Sequence, residues 1–149
     1  MSIGREVEHL AKRFAGSLSK TPPPAADEAW ATTYLSPAEA DLWSRMVVQD
    51  RRHSVDVARR FVARRPAATR EEVAGALLHD VGKLQAGLHT FGRVVATVVG
   101  PRTARLREYH DHEEIGAALA AGAGADPVTV ALVRGEGPAA ADLRAADDI

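Results

Sequence analysis

The sequence contains no cysteine. Disulfides are therefore excluded, and any metal must be held by histidines and carboxylates rather than thiolates. Aromatic residues are scarce, at 5%. The core must then be built from small aliphatic side chains, which suits closely packed helices. Neither sign of charge is in excess. The formal net charge is −1 and the pI is near 6.6, so nothing points to nucleic acid or an acidic membrane as partner. No apolar run is long enough to span a bilayer, and no leading apolar segment resembles a secretory signal, so the chain reads as cytoplasmic with no membrane partner. Lysine is rare too, limited to Lys12, Lys20 and Lys83 in an arginine-rich chain.

What remains is 149 residues, 46% hydrophobic and 26% charged. That suffices for one domain over 1–149 with a real core. Its punctuation is helical throughout. Apolar residues at Ile3, Val7, Leu10, Phe14 and Leu18 predict an amphipathic helix, with His9 among its solvated positions. Pro22, Pro23 and Pro24 form a stiff connector. Ser36, Pro37 and Glu39 combine an N-cap, a first-turn proline and a capping-box acid. Asp50 reads as the N-cap of a helix over Arg51–Arg65, which Pro66 ends. Thr69 and Glu72 make a second capping box. A broad apolar set predicts a buried helix over Leu84–Val99, with His89 incidental, and Gly100-Pro101 a turn. A further helix is expected to open near Tyr109 and end at Gly122–Pro127. The last carries Ala140, Leu143 and Asp147 on one stripe. Helices of ordinary length make about six to nine in all, an all-α fold.

Polar groups interrupt this pattern at informative places. Val73, Ala76, Leu77 and Asp80 share one stripe, so the core face carries a carboxylate inward with it. A buried lone carboxylate is costly unless it is paired, hydrogen-bonded or bound to a metal. His79 stands beside it, and Gly82 can break the helix. His53 shares a stripe with Val57 and Phe61. A lone histidine there is usually a satisfied core residue, but two imidazoles and two carboxylates aimed inward suit a divalent cation. Of His110 and His112, only His112 shares a stripe with Ile115, Gly116 and Leu119.

These residues carry a resemblance. His79-Asp80-x-Gly82-Lys83 is similar to the signature of the HD superfamily of helical metal-dependent phosphohydrolases. Arg52-His53-Ser54 with Val57-Ala58 resembles that family's first-ligand helix, Leu143-x-x-Ala146-Asp147 its last-ligand segment, and His112 to Gly116 its His-x-x-x-Gly. The likeness covers about 50–147, leaving 1–49 as packing helices.

The resemblance implies a single-domain HD-type helical bundle with one divalent metal (Mn, Mg, Fe, Co, Ni or Zn) on His53, His79, Asp80 and Asp147. It implies hydrolysis of a small, nucleotide-like phosphoester by a metal-bound water. Lys83 and His112 would join Asp80 as catalytic residues, and Arg51 and Arg52 are phosphate candidates. His112 has three readings: beside the ligands, on the phosphate, or in a second metal centre. The chain departs from the family's two-metal members in lacking late histidines after Val133. It also lacks a Gly-Tyr-Pro motif, which argues against cyclic-dinucleotide chemistry. The competing expectations are a non-catalytic metal- and nucleotide-binding sensor or a protein-interaction module with the same fold, and a plain helical interaction domain with no metal.

Overall fold

The computed structural model describes residues 21–84 and 101–148, by backbone alone at 84 and 101–111. Seven α-helices and one 3-10 turn are found among them, and no strand. The expectation of an all-α fold holds for the described residues. The helices are α1 (Ala25–Thr32), α2 (Pro37–Ser44), α3 (Val48–Arg64), α4 (Arg70–Leu78), α5 (Pro101–Gly122), α6 (Pro127–Val133) and α7 (Ala140–Asp147), with the 3-10 turn Val81–Leu84 after α4. The helices expected over 3–18 and 84–99, with His9 and His89, lie outside the described residues apart from Leu84 in that turn.

Three helix starts follow from side chains that satisfy the free N–H groups of a first turn. Ser36 accepts from the Glu39 N–H at 3.2 Å while Glu39 accepts from the Ser36 N–H at 2.8 Å. Thr69 and Glu72 repeat the exchange at 3.2 and 3.0 Å. Asp126 caps α6 through the Val128 N–H at 2.9 Å. Both capping-box acids are buried, a position tolerable only because each is hydrogen-bonded. Burial works against the Glu72 charge, yet the Thr69 N–H and the Arg65 guanidinium hold its carboxyl below the usual range.

Two starts differ from expectation. α3 opens at Val48, with Val47 as an N-cap lacking any side-chain bond. Asp50 thus lies inside the first turn, where its charge suits the helix dipole. α5 opens at Pro101 rather than near Tyr109, because a proline at the first helical position starts a helix as readily as it ends one. The phase of α5 also shifts. Among its described side chains the fully buried ones are Ala117 and Ala120, beside buried Gly116, whereas His112, Ile115 and Leu119 are half-buried. Alanine carries little hydrophobic weight, so the periodicity favoured the larger side chains one step away.

The core centres on α4. Every residue from Glu72 to Leu78 is buried, as befits a helix enclosed on several sides. α3 and α6 pack against α4, α5 packs against α6 and the 3-10 turn, and α7 packs against α3. Gly75 brings α6 close: a Cβ there would lie 2.9 Å from Leu132 Cδ2. Phe61, Leu77, Leu78, Val55, Val57, Val73, Val81 and Val133 are fully buried, each contributing roughly 1.5–3 kcal/mol by leaving water. No helix among the described residues is long and apolar enough to cross a membrane. Because the central helix ends at Leu78, the next residue, His79, emerges at the edge of the core.

Candidate metal centre

Three helices deliver the candidate ligands. α3 carries His53, with Val57 and Phe61 below it fully buried. Beside it, Ser54 is pinned by the Trp43 indole N–H at 2.9 Å and itself donates to the Arg51 carbonyl at 2.7 Å. His79 is the C-cap residue of α4. Asp147 ends α7, whose inner face is Ala140, Leu143 and Ala146. Ala140 and Leu143 of the expected stripe are buried, and only its last member differs. Ala146 is the fully buried member, and Asp147 stands at the boundary with 27% side-chain exposure.

Ligand atoms of His53, His79 and Asp147 all lie within 4.8 Å of one another. His53 Nε2 is 2.9 Å from Asp147 Oδ1, and His79 Nε2 is 3.5 Å from the same oxygen. The two imidazole rings are 6.1 Å apart, tilted by 55°. Asp80 stands beside this trio, its Oδ2 3.4 Å from His79 Nε2 and 3.4 Å from Lys83 Nζ. Three of the four expected ligands are thus gathered, and the fourth is adjacent, shared with a lysine.

The protonation pattern of His79 is informative. Its Nδ1 is 2.7 Å from the Ala76 carbonyl, an acceptor, so Nδ1 carries a proton. In a neutral ring Nε2 is then a lone pair, buried, without a hydrogen-bond partner and facing two carboxylates. Lone pair against carboxylate is repulsive. Either a second proton or a cation resolves it. Without a cation the proton wins. Burial lowers the His79 pKa, but the Asp80 charge and the Asp147 and Ala76 contacts outweigh it and raise the value to about 9. The hydrogen bond with His53 and then the nearby His79 ring hold the Asp147 carboxyl well below the usual carboxylate range, against its partial burial. A divalent cation fits the same place: two imidazole nitrogens and carboxylate oxygen form an N/O donor set, with one ligand ring already oriented from behind by a carbonyl.

The other expected site residues are placed as follows. Lys83 is half exposed and leans on Asp80. His112 is half-buried, and its backbone carbonyl lies against Gly82, so that a Cβ on Gly82 would overlap that oxygen and sit 3.0 Å from Gly116 N. The side chain of His110 lies outside the described residues. Arg51 Nη1 donates to the Ser44 carbonyl at 2.7 Å, and its guanidinium lies 5.9 Å from the Trp43 ring centre. Arg52 Nη1 donates to the Thr21 carbonyl at 3.2 Å. Arg51 is thus tied to the end of α2, where unpaired carbonyls attract cations. One residue escaped the sequence reading: Arg60, whose Nε donates to the Ala146 carbonyl at 2.8 Å. Its only signal was a place seven residues from His53, on the same helix face. Comparisons with models of protein families, with curated proteins and with solved structures find no match for this chain.

Proposed function

We propose that this protein is a metal-dependent phosphohydrolase of the HD superfamily, with an HD-type helical bundle and one divalent metal on His53, His79, Asp80 and Asp147. The observation that carries the reading is the buried His79 Nε2, unpartnered between two carboxylates and beside a second imidazole. When bound, such a metal supplies a Lewis acid that acidifies water and polarises a phosphoryl oxygen.

The chain's own residues account for the rest. The Ala76 carbonyl fixes the His79 ring, leaving Nε2 as the donor atom. Lys83 Nζ offers a mobile positive charge beside Asp80, suited to a phosphate whose charge grows during reaction. Lys83 pairs with Asp80, and were Asp80 to hold a metal, Lys83 would be free to meet a phosphate. His112 borders the same turn and is the next candidate to steady the phosphate. The engagement of Arg51 and Arg52 with backbone carbonyls makes Lys83 the stronger phosphate contact. A small phosphoester, nucleotide-like, fits the modest number of cations at the site. The test is metal analysis of the purified protein, then a turnover screen over nucleotides and sugar phosphates with Mn²⁺ added. Stoichiometric metal with turnover supports the proposal. Metal without turnover identifies a sensor, and neither leaves a helical interaction module.

A further inference from the structure

α7 is poorly equipped to hold itself in place. It has eight residues, and its N-cap, Ala139, supplies no side-chain bond. An isolated helix of that length is marginal in water. Its apolar anchors are Ala140, Leu143 and Ala146, two of them only alanines. Yet the residue that ends it, Asp147, has an oxygen that must stand within a few tenths of an ångström of a productive place to share a ligand with His53 and His79.

Apart from the His79 ring at its very end, the polar ties that fix α7 come from one helix and its C-cap. Arg65 Nη1 reaches Asp142 Oδ2 at 3.3 Å. Arg60 Nε donates to the Ala146 carbonyl at 2.8 Å. His53 Nε2 meets Asp147 Oδ1 at 2.9 Å. The pairs 53 with 147, 60 with 146 and 65 with 142 run in opposite directions along the two chains. His53 and Arg60 are two turns apart and so lie on the same face of α3. The Ala146 carbonyl is among the last four of α7, which have no partner within the helix. Arg60 supplies that partner one peptide unit before the ligand.

We infer that Arg60 is a positioning residue for the metal centre: its hydrogen bond to the Ala146 carbonyl locks the last turn of α7 and so sets the Asp147 carboxylate beside His53 and His79. The inference rests on the metal reading above for its consequence and on the helix geometry for its cause. Arg60 touches neither ligand side chain nor substrate in this assignment. It acts on the backbone that carries one ligand.

Two substitutions separate this role from bulk and charge. Arg60→Gln keeps an N–H donor at the point along the side chain where Nε stands, without the charge. Arg60→Met keeps the length and puts a methyl group there. Mn²⁺ affinity is measured by calorimetric titration of the full chain. Amide exchange at Asp147 and Asp148 is followed in the metal-free protein. The expected result is a loss of about tenfold or more in Mn²⁺ affinity for Arg60→Met, the scale seen when partners behind a ligand are removed, with near wild-type affinity for Arg60→Gln. Exchange at the two amides should be faster in Arg60→Met alone. Equal affinity in all three proteins, or equal loss in both variants, overturns the inference. If the wild type binds no Mn²⁺, the metal reading fails by itself and the exchange pattern decides whether Arg60 holds the turn. If Arg60→Met does not fold, Arg60→Gln decides: wild-type affinity and exchange uphold the bond, and their loss refutes it.

Discussion

Raising the pH of the metal-free protein should weaken it, and a divalent ion should reverse the trend. His79, with 9% side-chain exposure, has its pKa raised to about 9 in the metal-free fold, against about 6.5 for an unfolded histidine. The folded state binds that proton more tightly, so the stabilisation is complete below about pH 6.5 and lost as the pH climbs through about 9. At about 1.4 kcal/mol for each unit of difference, the loss is roughly 3 kcal/mol, a large part of a typical stability of about 5–15 kcal/mol. With a urea dependence of about 1–3 kcal/mol per molar, the unfolding midpoint should fall by roughly 1–3 M between pH 6 and 9. Asp147 does not add to this slope. Its pKa is lowered, so its stabilisation is present above the unfolded value of about 3.9 and fades only as the pH falls below it. A metal needs Nε2 unprotonated, so its affinity should rise with pH over the window in which the metal-free fold weakens. Urea titrations followed by circular dichroism, with chelator at pH 6, 7.5 and 9, measure the first effect. Repeating them with Mn²⁺ up to pH 8 measures the second, and His79→Gln should flatten both. A metal-free midpoint that stays level or rises from pH 6 to 9 would refute the protonation argument.

Three further outcomes are expected. Gly82→Ala should destabilise the fold by about 3 kcal/mol or more, because its methyl would overlap the His112 carbonyl and backbone must move; an unchanged melting temperature would contradict the close approach. Asp147→Asn should abolish Mn²⁺-dependent thermal stabilisation while Asp148→Asn, at an exposed position, leaves it nearly intact, and the reverse order would misplace the ligand. Lys83→Met should keep the metal and lower kcat and kcat/KM together, as for an interaction made while charge develops; unchanged kinetics would make Lys83 a surface residue that merely pairs with Asp80.

How far the sequence could be read depended on whether a feature is local. The two capping boxes were legible because each is a short-range exchange within one turn. The gathering of His53, His79 and Asp147 was legible because each stands at or beside an apolar stripe whose direction the core fixes. The start of α3 was not, since Val47 caps nothing and Asp50 looked the better N-cap. The phase of α5 was missed because its buried line is glycine and alanine. The partners of Arg51, expected on a phosphate, and of Arg60, not singled out, were illegible: they are backbone carbonyls of Ser44 and Ala146, and a carbonyl leaves no mark in a sequence.

The contact between Gly82 and the His112–Gly116 stretch has a mechanical consequence. Where backbone meets backbone no rotamer can absorb a displacement, and a close-packed interior transmits strain rather than damping it. The turn after His79 and Asp80 therefore moves with the middle of α5 as one stiff body. The facing wall is different, since α3 grips α7 through the long side chains of Arg60 and Arg65, each with several torsions to spare. The site is stiffest on the side of His79, and on the side of Asp147 it is only as stiff as the Arg60 and Arg65 contacts make it. Adjustment to ions of different radius, or to a substrate pressing into the cleft, should fall on the last turn of α7, with His79 as the fixed point.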